Sequence, residues 1–222
     1  MAGTIDVYLE GAKRRTFAAA IDWPGWCRSG TTEEDALVAL AEYADRYRRA
    51  VGRTAGGLKV PRSGASFDVV ERVKGNATTE FGAPGVVPAI DEREVSVESV
   101  RRLVSLLNAA WKAFDGTAAN TRGRSLRKGP RGGGRSLAAI VEHVHGAEGA
   151  YLAKIGGPTK APAEDQELRS LYVRIVTTRA KGEPPPRIPR SGGVWPIPYA
   201  IRRSAWHALD HAWEIEDRTT GR

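Results

Sequence analysis

Two of the chain's four histidines stand four residues apart near its C-terminus, in the segment AWHALDHAWEIEDR, residues 205–218. Residues four apart on a helix lie one above the other, so His207 and His211 can present two imidazoles to one metal ion. The other two, His143 and His145, lie in EHVHGAE and are only two apart. They diverge on a helix, so at most one of them joins the pair, and helical periodicity does not choose between them.

Acidic residues accompany both histidine segments. Glu148 falls near the centre of the apolar face formed by Val144 and Tyr151, where an unpaired carboxylate would be costly. Asp210 and Glu214 follow the histidines of the last segment and are placed to accept a hydrogen bond from a ligating imidazole. With a single cysteine in the chain, any metal here must use histidine and carboxylate ligands.

Four segments with helical periodicity carry or surround these residues. They are residues 96–114, 136–156, about 165–179 and the histidine segment itself. The Gly/Pro-rich stretch 182–198 cannot be helical and makes a long connection before the last one. The pattern predicts a compact four-helix bundle, in which sites are built from side chains on facing helices.

This half of the chain resembles the DinB/YfiT-like family of metal-binding four-helix bundles. His143 followed by Glu148 matches one of the family's elements, and HALDH matches the other. The resemblance covers about residues 95–217 and implies His143, His207 and His211 as metal ligands, with Glu148 orienting them. His145 does not match.

Three histidines leave coordination positions for water or substrate, as in catalytic sites, and a divalent metal such as zinc or nickel suits them. The resemblance implies a thiol-dependent transferase or a hydrolase-like enzyme, acting on a small-molecule substrate. A low-molecular-weight thiol is the expected cosubstrate, because a bound divalent ion lowers a thiol pKa.

The N-terminal part has a different character. Alternation predicts strands in residues 4–9, 15–22 and 67–73, and a capped helix over 31–51. The segment DWPGWCRSG is expected to form a turn, and irregular chain is expected from about residue 75 to residue 88.

The stretch AAIDWPGWCRSGTTEEDAL resembles the HicB antitoxin-like domain, a small fold related to part of RNase H. We therefore expect an α+β protein with a HicB-like domain at residues 1–88 and an all-α DinB-like four-helix bundle at residues 89–222. No helix-turn-helix or ribbon-helix-helix pattern accompanies the resemblance, which supports the fold better than an antitoxin role.

The loop TRGRSLRKGPRGGGR, residues 121–135, holds six basic residues and no acid. It is interpreted as an anion- or substrate-binding loop through Arg131 and Arg135, or equally as a solvated connection. Trp195, in the long connection, is a candidate for stacking on substrate. Nucleic-acid contact by this loop is not favoured but gives the alternative function, a non-enzymatic nucleic-acid or protein-binding module of antitoxin type.

Composition limits the cellular compartment and the partners that we expect. The net charge of +8 comes from 26 arginines and 8 lysines against 26 acids, a bias that a GC-rich genome also produces. The sequence has no apolar run of about 18 residues and no secretory signal at its start. We expect a cytoplasmic bacterial protein without a membrane partner, and a homodimer is compatible with the sequence.

Overall fold

The computed structural model describes residues 4–58, 67–128 and 134–220. Within these ranges the chain forms one four-stranded sheet and seven α-helices, which confirms the predicted α+β class. Among the described helices, none is long and apolar enough to cross a membrane.

The sheet is built from β1 (Ile5–Gly11), β2 (Thr16–Ala20), β3 (Cys27–Gly30) and β4 (Phe67–Lys74), in the order β3-β2-β1-β4. β1 and β2 are antiparallel, as are β2 and β3, whereas β4 runs parallel to β1. The parallel pair requires a crossover, which the helices between β3 and β4 supply.

The prediction of a turn through residues 27–30 is wrong, because β3 pairs there with β2. The reversal is completed earlier, where Gly25 takes a φ of +94° and the Trp26 amide donates to the Trp23 carbonyl at 3.0 Å. Four residues without apolar alternation gave no strand signal, so the neighbouring strand decides their conformation.

The predicted helix over 31–51 forms with an interruption at Tyr43, giving α1 (Glu33–Glu42) and α2 (Ala44–Val51). Thr32 caps α1 through a capping box with Asp35, as one of the two expected caps. The stretch expected to be irregular contains one short helix, α3 (Ala77–Phe81), capped by Asn76.

The second half forms α4 (Val97–Asn120), α5 (Leu137–Lys154), α6 (Asp165–Arg179) and α7 (Ile197–Arg218). α7 packs against α4 and α5, and α6 packs against the same two helices. The four helices therefore close a ring, in which α4 lies opposite α5 and α6 lies opposite α7.

Helix α7 begins eight residues before the segment in which its periodicity was recognised. Its first turn contains a proline, which that position tolerates because its amide has no intrahelical acceptor. The helix is buried on most sides, since the bundle covers one side and the sheet covers another. Trp206 lies among Tyr8, Phe17, Ala19 and Cys27 of the sheet, with its ring centroid 6.0 Å from that of Phe17.

The Pro-Gly turn between β2 and β3 rests directly on α7. A Cβ added to Gly25 would lie 2.7 Å from Leu209 Cδ1 and 3.3 Å from the Ala205 backbone. The turn is held from its other side by the Tyr47 hydroxyl, which donates to the Pro24 carbonyl at 3.1 Å. A glycine is needed here both for the positive φ and for the close approach to the helix.

Polar contacts fix α7 to the sheet unit along its length. Arg202 donates to the Ile21 carbonyl at 3.3 Å, and Arg28 binds Asp210 at 3.0 Å. Arg202 also forms a buried ion pair with Asp91, which follows the sheet unit. At the C-terminal end of α7, Arg46 contacts the carboxylates of the two acids at 216 and 217 at 2.7 and 2.8 Å. The helix that carries two of the histidines is thus held by both parts of the chain.

Candidate metal centre

Three histidines from two helices, α5 and α7, lie next to one another. α5 contributes His143, and α7 contributes His207 and His211, one turn apart. Each offers one ligating atom, and these atoms all lie within 4.8 Å of one another. His207 Nε2 is 3.2 Å from His143 Nε2, and the ring centroids of His207 and His211 are 4.6 Å apart.

His207 is the most buried of the three, with 7% of its surface exposed. Burial, followed by the proximity of the His211 and Arg203 side chains, lowers the pKa of His207 to about 2. The ring is therefore neutral at neutral pH, the form that binds a metal. Its Nδ1 is shielded from solvent and has no hydrogen-bond partner among the described residues.

His211 is oriented by a chain of polar contacts. Its Nδ1 is 2.7 Å from a carboxylate oxygen of Glu214, whose other oxygen accepts from Arg218 Nη1 at 2.5 Å. The hydrogen bond from His211, and then that from Arg218, lowers the pKa of Glu214 to about 2. A carboxylate at Nδ1 favours the tautomer with the proton on that atom, which leaves the Nε2 lone pair free for a metal.

The same network reaches the basic loop. Arg218 also donates to the carbonyls of Arg127 at 2.8 Å and Arg135 at 2.9 Å. The described ends of the loop between α4 and α5 are therefore tied to the residue that holds Glu214. A shift of these ends would be felt at His211 through two hydrogen bonds.

The donor set fits a divalent ion. Two nitrogens bound to one tetrahedral zinc at about 2.1 Å lie roughly 3.4 Å apart, close to the spacing of His143 and His207. That spacing also suits a hydrogen bond between a protonated and an unprotonated ring nitrogen. A simple hydrogen-bonded histidine pair would need neither a third imidazole nor a carboxylate bound to that imidazole, whereas a metal site uses both.

Glu148 contacts an arginine and not the three histidines. It is 2% exposed, and its two oxygens accept from Arg169 Nε at 2.9 Å and Nη2 at 3.0 Å. Arg169 also binds Asp115 at 2.7 Å. Among the described residues Glu148 makes no hydrogen bond to a histidine, and the contact expected of an orienting carboxylate is made by Glu214. His145 bonds instead to Asp165.

The three candidate substrate-binding residues, Arg131, Arg135 and Trp195, differ in their surroundings. Arg131 lies outside the described residues. Arg135 is exposed, and its charge lowers the pKa of His143, after the larger effects of burial and of His211.

Trp195 reaches the histidines through one intermediary. Its ring lies 5.5 Å from that of Tyr151, and the Tyr151 ring lies 5.7 Å from that of His207. Tyr199 packs on the other side of Trp195, with ring centroids 5.0 Å apart. Tyr199, Trp195 and Tyr151 therefore form an aromatic row that ends at the His207 ring.

Arg203 was missed in the sequence, although it stands four residues before His207 on the same helix. Its guanidinium carbon lies 4.6 Å from the centre of the Trp206 ring and 5.2 Å from that of Tyr151. The i, i+4 relation to a candidate ligand was the available signal. An arginine in a chain with 26 of them did not attract attention.

Comparison with known proteins yields no assignment: no family model, no curated protein and no solved structure matches the chain.

Proposed function

We propose that the protein binds one divalent metal ion, zinc or nickel, through His143, His207 and His211. The observation that carries the proposal is the convergence of three imidazoles from two helices, one of them neutral by burial and one held by Glu214. Structural histidines pair with one another or with carbonyl groups, whereas three imidazoles with one ring nitrogen each within 4.8 Å of the others offer the ligands of a catalytic zinc site.

We further propose that the ring of α4 to α7 is a DinB-like bundle and that the sheet with α1 and α2 is a HicB-like unit. The order of the histidines along the bundle and its long connections support the first resemblance. For the second, the support comes from the small sheet with one helical crossover. In this proposal the HicB-like unit serves as a scaffold, because its Pro-Gly turn is seated on α7 at Ala205 and Leu209.

The proposed activity is that of a thiol-dependent transferase or a hydrolase-like enzyme. A divalent ion held by three histidines supplies a lowered pKa to a thiol or water bound at it. Glu214 keeps His211 in one tautomer and orientation, and the aromatic row ending at Trp195 lines the approach.

The chain's own thiol does not serve this purpose. Cys27 is buried against Trp206, and burial raises the pKa of its thiol. A raised pKa makes a thiol a poor nucleophile at neutral pH. The proposal therefore assigns the thiol to a small cosubstrate.

Elemental analysis of protein purified without a histidine tag tests the proposal. We expect about one equivalent of zinc or nickel per chain. The double variant His207→Ala plus His211→Ala should lose the metal, whereas His145→Ala should retain it as the matched control. Absence of stoichiometric metal from the wild-type protein, or its full retention in a folded double variant, would contradict the proposal.

A further inference from the structure

Arg203 occupies an unusual position one helical turn before His207. Its guanidinium lies against two aromatic rings, Trp206 of its own helix and Tyr151 of α5. The Tyr151 ring also contacts the His207 ring, with centroids 5.7 Å apart. The arginine is thus one aromatic side chain away from the proposed metal centre.

Apart from these two rings, the guanidinium of Arg203 has no partner among the described residues. Within the described residues it forms no salt bridge and no hydrogen bond, and its Nη1 is shielded from solvent. Arg203 borders a cavity of about 10 Å³ that is also lined by Tyr8 and Cys27 of the sheet and has room for about one water molecule. The other two nitrogens are not shielded from solvent and also lack a hydrogen bond in the described part of the chain.

In the described part of the chain, no acid forms an ion pair or hydrogen bond with Arg203. Its helix neighbour Arg202 is paired with Asp91, so that acid is already engaged. Arg203 lowers the pKa of Glu10, but the carboxylate of Glu10 accepts from the Thr79 hydroxyl and from the amides of Gly85 and Val86. A half-buried cation without an acidic partner provides a ready site for an anion.

The aromatic contacts give the charge a defined orientation. A guanidinium stacked on aromatic faces has its plane fixed, and the donors on its edge remain available. An arginine edge matches a carboxylate with two parallel hydrogen bonds. Arg135, whose charge lowers the pKa of His143, is exposed and makes no such stacking contact with the described residues.

We propose that Arg203 binds a carboxylate group of the substrate or cosubstrate whose reacting end reaches the three-histidine centre. This inference rests on the proposed function, since it takes the histidines to hold a metal. It assigns the class of ligand: small organic acids, with the carboxylate against Arg203 and the metal-binding group toward His207. Because Tyr151 contacts both Arg203 and His207, the proposed ligand would lie beside its ring.

The test uses cobalt(II) as a spectroscopic metal and two thiols of equal length as probes. The loaded protein is titrated with 3-mercaptopropionate and with 3-mercaptopropan-1-ol, and binding is followed by the cobalt–thiolate absorption. We expect the acid to bind about tenfold more tightly than the alcohol, as one charge-assisted hydrogen-bonded pair would give. In Arg203→Gln the two affinities should become equal, and in Arg203→Lys the preference should be intermediate.

Arg174→Gln removes an exposed arginine of α6 and serves as the matched control, in which the preference should persist. Equal affinities in the wild-type protein would overturn the inference and leave the metal site standing. So would a preference that survives unchanged in Arg203→Gln, because the acid would then be chelating the metal directly. Failure of the wild-type protein to bind cobalt would overturn the proposed function together with the inference.

Discussion

Replacing Glu214 with Gln tests the contact that distinguishes this centre from a chance cluster of histidines. The change keeps the size of the side chain but removes the charge that holds the His211 Nδ1 proton. Carboxylates behind metal-ligating histidines contribute about 10- to 100-fold in metal affinity, which is about 1.4–2.8 kcal/mol. The Glu214 side chain is 32% exposed, so solvent screens part of its charge. We therefore expect a loss near the lower end, about tenfold in zinc affinity.

Competition with a chromophoric zinc chelator measures this loss, and Glu167→Gln on the exposed face of α6 controls for the change in net charge. Circular dichroism checks that both variants retain their helices. An unchanged zinc affinity in folded Glu214→Gln, or an equal loss in Glu167→Gln, would refute the role given to Glu214.

Four further outcomes are expected. Gly25→Ala should lower the free energy of unfolding in urea by at least about 1–3 kcal/mol, since its φ is +94° and its new Cβ would meet Leu209. An unchanged urea midpoint would contradict the close packing of the Pro-Gly turn on α7. Glu148→Leu should cost about 3–5 kcal/mol in the same assay, because it removes the buried acceptor of Arg169 Nε and Nη2 and leaves Arg169 only its exposed partner Asp115. Asp115→Asn, at that 51% exposed partner, should cost at most about 1 kcal/mol; equal costs would contradict this ranking. Chelation of the metal should lower the melting temperature, and metal at 100 times its dissociation constant should restore about 2.7 kcal/mol; no shift would show that the folded state gains nothing from it. Cys27, whose pKa is raised by burial, should react with a thiol reagent at pH 8 only after unfolding in urea; rapid reaction of the native protein would contradict its placement.

Local signals predicted the helices well and the sheet less completely. The bounds of α6 agree with the predicted residues, because its buried apolar residues recur at helical spacing within the segment. β3 was missed, since its four residues carry no alternation and take their conformation from β2. The early start of α7 was hidden by prolines, which are permitted only in the first turn of a helix.

For the site, sequence spacing proposed His207 and His211, the family resemblance added His143, and the structure brings the three together. Glu214 was one of two acids that spacing offered, and only the fold separates it from Asp210, which binds Arg28. The partner of Glu148 was not predictable, because Arg169 is 21 residues away on a different helix. Long-range pairing of this kind depends on how the helices pack, which no local pattern records.

The most direct test of the central claim is a crystal structure of the metal-loaded protein, with anomalous data collected at the edge of the metal. We predict one metal position per chain, bound by nitrogens of His143, His207 and His211 at about 2.0–2.1 Å, with His211 Nδ1 still hydrogen-bonded to Glu214. A metal bound elsewhere, a ligand set that omits one of the three histidines, or no anomalous signal at this position would contradict the account.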